Sequence, residues 1–194
     1  MIEIYSREIE QTWFCVAINN HCIVTSSFAE NQQAAIYKVL DKIPFKLPFQ
    51  IFHEPTIQAK TILATLKDLY DGKTAQTDLP LVTSNLKNYT KKVLKATQSI
   101  PIGYVTPYGE IAKAVGGGAR AVGNIMASNP FAPIVPCHRV VKSDFSLGGY
   151  GLGLKFKVEL LKKEKQGFSC PKHVEVDGVN LGVFPVEWVL RNLV

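Results

Sequence analysis

The chain has 194 residues, 46% hydrophobic and 20% charged, with 14 Gly and 11 Pro, which excludes a disordered, collagen-like or coiled-coil protein and allows one large domain or two small ones. No apolar run approaches the roughly 18 residues of a membrane span, and Met1-Ile2-Glu3-Ile4 lacks a signal peptide's basic and apolar regions, so a soluble cytoplasmic protein is expected. The net charge of +6 is uneven: residues 1–85 carry 7 Lys/Arg against 9 Asp/Glu and residues 86–194 carry 15 against 7, so the second part suits a polyanionic partner, or is merely a lysine-rich surface.

Met1–Ser6, Thr12–Ile18 and Cys22–Phe28 are rich in β-branched and aromatic residues and predict a small antiparallel meander, with Asn19-Asn20 as a turn. Ile36, Leu40 and Ile43 predict a helix over 31–43, broken by Pro44-Phe45-Lys46-Leu47-Pro48. A short strand, 49–53, leads to a second helix near 57–71 with the stripe Ile62, Leu66, Leu69, and Asp71-Gly72 stops it. The connector 79–83 marks the expected domain boundary. Residues 1–83 thus read as an α/β scaffold domain without obvious chemistry.

Beyond it, Ser84 is a candidate N-cap for a helix reaching Ser99, with Tyr89, Val93 and Ala96 on one face. Helices over 108–115 and 119–128, joined by Gly116-Gly117-Gly118, have the outline of a helix-turn-helix. The second helix is small-sided through Ala119, Ala121, Gly123 and Ala127, with Arg120 as its one long basic side chain. Its alanines either lie open to a partner or pack beneath the first helix. A basic helix, 154–165, is expected to turn Leu154, Val158 and Leu161 inward, with Glu164 at the edge of that face beside Leu160. The second domain, 84–165, therefore reads as mostly helical, with an active-site loop between its helices.

Four cysteines, at 15, 22, 137 and 170, are too few for a disulfide scaffold. Cys137 lies in an apolar run with His138 beside it and the half-buried Glu164 downstream, which suits a Cys/His/Glu relay, although a Cys-His dipeptide is more often structural. With Asn19-Asn20 as the turn, Ala17 pairs with Cys22 and brings Cys15 and Cys22 diagonally together. A zinc site with His21 and His53, or a disulfide, is then conceivable. Cys170 and His173 form a weaker pair. Ordinary core and surface residues are expected at both places, with no metal and no cofactor.

The motifs Arg120-Ala-Val-Gly123, Asn129-Pro130, Pro136-Cys137-His138-Arg139-Val140 and Gly149-Tyr150-Gly151 together resemble the O6-alkylguanine-DNA alkyltransferase family over residues 84–165. The resemblance implies Cys137 as alkyl acceptor, His138 as a base acting through water, and Glu164 closing the relay. It implies Asn129 as brace of the active-site turn and Tyr108 as the residue that helps rotate the nucleotide and protonates the leaving guanine. Tyr150 becomes a wall of the base pocket, Met126 one of its lining residues, and Gly151 a backbone donor to O6, while the carbonyls of Cys137 and Val140 read the exocyclic amine. Arg120 becomes the finger that enters the duplex, and Ala119, Ala121, Gly123, Ala127 and Arg139 the DNA-binding surface, docked in the minor groove.

The implied partner is double-stranded DNA containing O6-alkylguanine, met by a monomer that repairs one lesion per molecule. Two alternatives are a non-catalytic alkylguanine sensor, against which Cys137 argues, and a cysteine hydrolase, which has no use for Arg120 on such a helix. Two departures stand out. Gly151 replaces a serine found in some members, and in Pro130-Phe131-Ala132-Pro133 the second proline comes one position late. Residues 166–194 have no counterpart in the resemblance, and Val186, Val189, Leu190 and Leu193 predict a short helix packed on the body.

Overall fold

A computed structural model describes residues 1–43, 47–75 and 78–193, and the expected break at residues 44–46 lies outside them. Two compact units emerge: residues 1–70, 74–85 and 130–134 form the first, and 71–73, 86–129 and 135–194 the second.

In the first unit, β1 (Ile2–Ile9), β2 (Thr12–Asn19) and β3 (Cys22–Ala29) form the meander. Both of its hairpins turn on two residues at positive φ, Glu10-Gln11 and Asn20-His21, the backbone of type I′ turns that fit right-handed strand twist. Placing the second turn at Asn20-His21 corrects the expected register, because Cys22 pairs with Asn19 and not with Ala17. After α1 (Gln32–Leu40), capped by the Asn31 side chain on the Ala34 N–H, β4 (Phe49–Phe52) adds to β1 in parallel, so the sheet is mixed, in order β3-β2-β1-β4.

Both faces of β2 are covered, which is why its six central residues run almost uninterruptedly apolar. Cys15 and Ala17 pack with Ala35 and Val39 of α1. Phe14 points to the other face, where its ring meets Tyr70 of α2 (Ile57–Tyr70) edge-on at 5.6 Å. Residues 130–134 join this unit at the outer edge of β3, where Ser26 and Thr25 bond the Pro130 carbonyl and Ser26 Oγ bonds that of Ala132.

In the second unit, α3 (Asn88–Gln98) starts three residues later than expected. Lys87 stands at its N-cap without a side-chain bond, and Ser84 lies in a turn ahead of it. β5 (Tyr104–Pro107) runs directly into α4 (Tyr108–Val115), and the glycine turn leads to α5 (Ala119–Ala127). β6 (Val140–Val141) comes after the Cys137 turn and precedes α6 (Leu154–Lys163). β7 (Lys172–Val176), β8 (Val179–Pro185) and α7 (Val186–Arg191) complete the unit.

To the expected helices the structure therefore adds a second sheet, in order β6-β5-β8-β7. The inward face of α6 also differs from expectation. Phe156, Lys157, Leu160, Leu161 and Glu164 are buried, while Leu154 is 51% exposed and Val158 only half-buried. The spacing 157, 161, 164 is helical, but two of its members are charged, and a hydrophobicity stripe rotates away from them. Among the described residues, no helix is long and apolar enough to cross a membrane.

Candidate active site

Pro136 takes φ −81° and ψ 65°, and the Cys137 N–H bonds the Val135 carbonyl at 2.8 Å, the geometry of an inverse γ-turn. A 3-10 turn over Cys137–Arg139 comes next and feeds Val140 into β6, which pairs with β5 at Thr106 and Val141 with Pro107. This sharp double turn fixes Cys137 and His138 on rigid backbone. Asn129, just past α5, donates from Nδ2 to Cys137 Sγ at 3.0 Å and to the Val135 carbonyl at 2.9 Å. One amide thus holds the turn and faces the sulfur.

His138 and Glu164 are both buried, and His138 Nε2 lies 2.8 Å from Glu164 Oε1. Burial would push the Glu164 carboxyl up, but the His138 and Arg139 charges and their hydrogen bonds hold it at about 2. For His138, burial lowers the pKa and outweighs the opposing pull of Glu164, so the imidazole is neutral at neutral pH. With Nε2–H donated to the carboxylate, Nδ1 carries the lone pair; it is buried and meets no hydrogen-bond partner among the described residues.

Burial pushes the Cys137 thiol up, while the Asn129 amide and the Lys157 charge pull it back. The site therefore rests as thiol beside a neutral base. Lys157, which the sequence pattern missed, is wholly buried on α6. Its Nζ donates to the carbonyls of Val140 at 2.7 Å, Gly149 at 3.1 Å and Leu147. Its only sequence signal is its place at helical spacing from Leu161 and Glu164.

Tyr108 opens α4 and is half-buried. Burial first, and the Cys137 charge second, raise its pKa, which keeps the phenol protonated. Gly148 has φ +67°, and a Cβ there would stand 2.8 Å from the Tyr108 hydroxyl oxygen, so only glycine lets the loop close on that ring. Tyr150 is set edge-on to His138 with centroids 6.4 Å apart. At Gly151 a Cβ would meet the Ala127 carbonyl oxygen at 3.0 Å, a contact that a side chain there relieves only by a small shift of that carbonyl. Met126 is buried under α5, accepting from Thr97 Oγ1 at 3.6 Å.

On α5, Val122 and Met126 face inward, Gly123 is half-buried, and Ala119, Arg120, Ala121 and Ala127 are exposed, so the alanines do not pack beneath α4. Arg139 is a correction. It is 6% exposed, its Nε and Nη2 grip Glu164 at 2.9 and 2.7 Å, and Nη1 bonds the Ile100 carbonyl at 2.6 Å, leaving no guanidinium free for a phosphate.

In the first unit, Cys15 is buried in the core, with its thiol pushed up to about 12, and Cys22 is half-buried; neither forms a disulfide. His21 is engaged by Gln58 at 3.0 Å. Among the described residues, no group of three His, Cys, Asp or Glu gathers as a metal would require.

Fold and site thus define a protein whose helix-turn-helix unit encloses a Cys–His–Glu cluster. Residues 88–166 match the sequence model of the 6-O-methylguanine DNA methyltransferase DNA-binding domain. The methylated-DNA–protein-cysteine methyltransferase of Methanocaldococcus vulcanius is 38% identical over 120 residues, covering 60% of this chain and 73% of that protein. The protein of the same name from Methanothermobacter thermautotrophicus is 35% identical over 111 residues, 57% of this chain, and the match spans 63% of its length. A solved Mycobacterium tuberculosis OGT in complex with DNA superposes with a TM-score of 0.67 at 25% identity, covering 84% of this chain and 92% of that one. The chain belongs to the methylated-DNA–protein-cysteine methyltransferase family.

Proposed function

We propose that the chain transfers the alkyl group of O6-alkylguanine in duplex DNA to Cys137, once per molecule. The observation that carries this reading is the buried cluster itself. A sulfur faced by the Asn129 amide at 3.0 Å stands in the same turn as a neutral imidazole whose Nε2 is committed to Glu164 at 2.8 Å. The names of the relatives, and the DNA-bound neighbour, support methylated DNA as the partner.

Chemically, the thiol proton passes to His138 Nδ1, through a water that bridges the two groups, and Glu164 offsets the imidazolium charge. The Sγ–C bond forms as the C–O6 bond breaks. Guanine leaves as an anion and takes a proton from the Tyr108 phenol, which the imidazolium proton later restores. The Asn129 donor and the Lys157 charge favour the thiolate over the thiol at the moment of attack. The thioether product has no leaving group that water displaces readily, so the protein is consumed.

An alkyl carbon on O6 lies inside the base stack, so the nucleotide must be extruded first. The exposed small face of α5 suits minor-groove approach, with Arg120 filling the vacated place and Tyr150 walling the extruded base. The test is intact-mass analysis after incubation with an O6-methylguanine duplex. One added methylene on Cys137, once per molecule, is the expected result; repeated turnover, or modification at Cys15, overturns the reading.

A further inference from the structure

The family match ends at residue 166, yet the chain beyond that point is built into the second unit, at three places among others. β8 pairs antiparallel with β5, Tyr104 opposite Pro185 and Val105 opposite Phe184, and Thr106 Oγ1 donates to the Gly182 carbonyl at 2.7 Å. Val186 and Val189 of α7 enter the cluster of Val105, Val141 and Leu161. The third place is Phe145, in the loop between β6 and α6. Its ring stands edge-on to Phe184 at 5.2 Å and to Trp188 at 5.1 Å, and the latter two rings lie 5.5 Å apart. Asn192 Nδ2 bonds the neighbouring Asp144 carbonyl at 3.2 Å.

Phe145 also has φ +60°, a conformation that a bulky aromatic residue keeps only when its surroundings hold it there. The loop it belongs to leads straight to the chemistry. The Phe145 N–H bonds the Lys142 carbonyl, and the Lys142 N–H bonds that of Ser146, each at 3.0 Å. Leu147 then packs on the same cluster and gives its carbonyl to Lys157, Gly148 abuts the Tyr108 hydroxyl, and Tyr150 faces His138.

We propose that Trp188, together with Phe184, is a positioning residue for the alkyl-acceptor site. The C-terminal hairpin and helix clamp Phe145 and so set where residues 147–151 stand against Tyr108 and His138. This rests on the reading of that loop as a wall of the base pocket. Trp188 touches no reacting atom; it acts through Phe145. Because it sets the pocket and not the DNA contact, loosening it slows transfer from a duplex and from a free base alike.

The test uses the full chain carrying Trp188→Ala, Trp188→Phe or Phe145→Gly. Two readouts are taken: hydrogen exchange of the 147–151 amides, and single-turnover transfer from an O6-methylguanine duplex and from free O6-benzylguanine. Trp188→Ala should speed exchange at 147–151 and slow both transfers by about 10-fold or more, the scale of a displaced catalytic constellation. Trp188→Phe should recover most of both, and Phe145→Gly should reproduce the loss, which keeps the test open where Trp188→Ala does not fold. A folded Trp188→Ala protein with wild-type exchange at 147–151 overturns the proposal, as does a loss confined to the duplex substrate. If the unaltered chain transfers nothing, the functional reading fails, and the exchange measurement alone decides the clamp.

Discussion

Arg139 and Glu164 form a forked ion pair inside the second unit, with the guanidinium Nε and Nη2 at 2.9 and 2.7 Å from the carboxylate. His138 reaches the same carboxylate, so one buried anion serves a permanent cation on one side and a titratable base on the other. His138 and Arg139 together hold Glu164 ionised, and the Arg139 charge helps hold His138 neutral until a proton arrives.

Replacing Arg139 with Met leaves that carboxylate partly unpaired. Breaking a buried pair on one side costs about 3–5 kcal/mol, and the loss should appear in denaturant unfolding. Because Arg139 is buried, the salt dependence of DNA binding should keep its wild-type slope in folded Arg139→Met, whereas removal of a phosphate contact lowers the slope by about one. A reduced slope would restore Arg139 to the DNA surface.

The acid stability of the fold should track Glu164. Its folded pKa, about 2, lies below the ordinary 4.5, so its contribution is fully present above pH 4.5 and fades as pH falls toward 2. Glu164→Gln should be less stable at neutral pH and flatter across that window, measured by unfolding at stepped pH. Equal slopes for the two proteins would contradict the pairing.

Lys157 governs the alkaline side. Burial lowers it to about 8, against the opposing pull of Cys137. Its ammonium offers three N–H donors to three carbonyls, and the neutral amine offers two. Transfer should therefore decline above about pH 8. The lysine's effect on stability runs the other way, because the cost of burying its charge fades between pH 8 and 10.5. Lys157→Met should react slowly, by about 10-fold or more, and should lack the alkaline decline in single-turnover rates.

Arg120, exposed on α5, should matter only where a base must be replaced in the stack. Arg120→Ala is expected to slow repair of duplex O6-methylguanine by about 10-fold or more while leaving transfer from free O6-benzylguanine near wild type. Equal losses on both substrates would remove the finger role.

Much of this was legible in the sequence because the informative residues obey short-range rules. The meander, α4, α5 and the Cys137 turn carry β-branched runs, helical stripes and glycine breaks at ordinary spacing. What escaped depends on partners distant in sequence. Arg139 read as a surface cation because nothing local reveals Glu164 folding back on it, and Lys157 went unmarked because the carbonyls that hold it lie 8 to 17 residues away. The β7–β8 hairpin did carry a local signal. Val174 and Val176 alternate ahead of Asp177-Gly178, an Asp-Gly pair with both φ positive, and Val179, Leu181 and Val183 come after it. Cys22 slipped in register because Asn19-Asn20 and Asn20-His21 are near-equal turn candidates until the pairing is known.

The face that α5 leaves uncovered carries the methyl groups of Ala119, Ala121 and Ala127, the Arg120 guanidinium and the Asn124 carboxamide. Were a duplex seated there as proposed, the methyl groups would read no hydrogen-bond pattern and Asn124 would meet only the degenerate code of the minor groove. Most of the selectivity would then be deferred to the moment a damaged base leaves the helix.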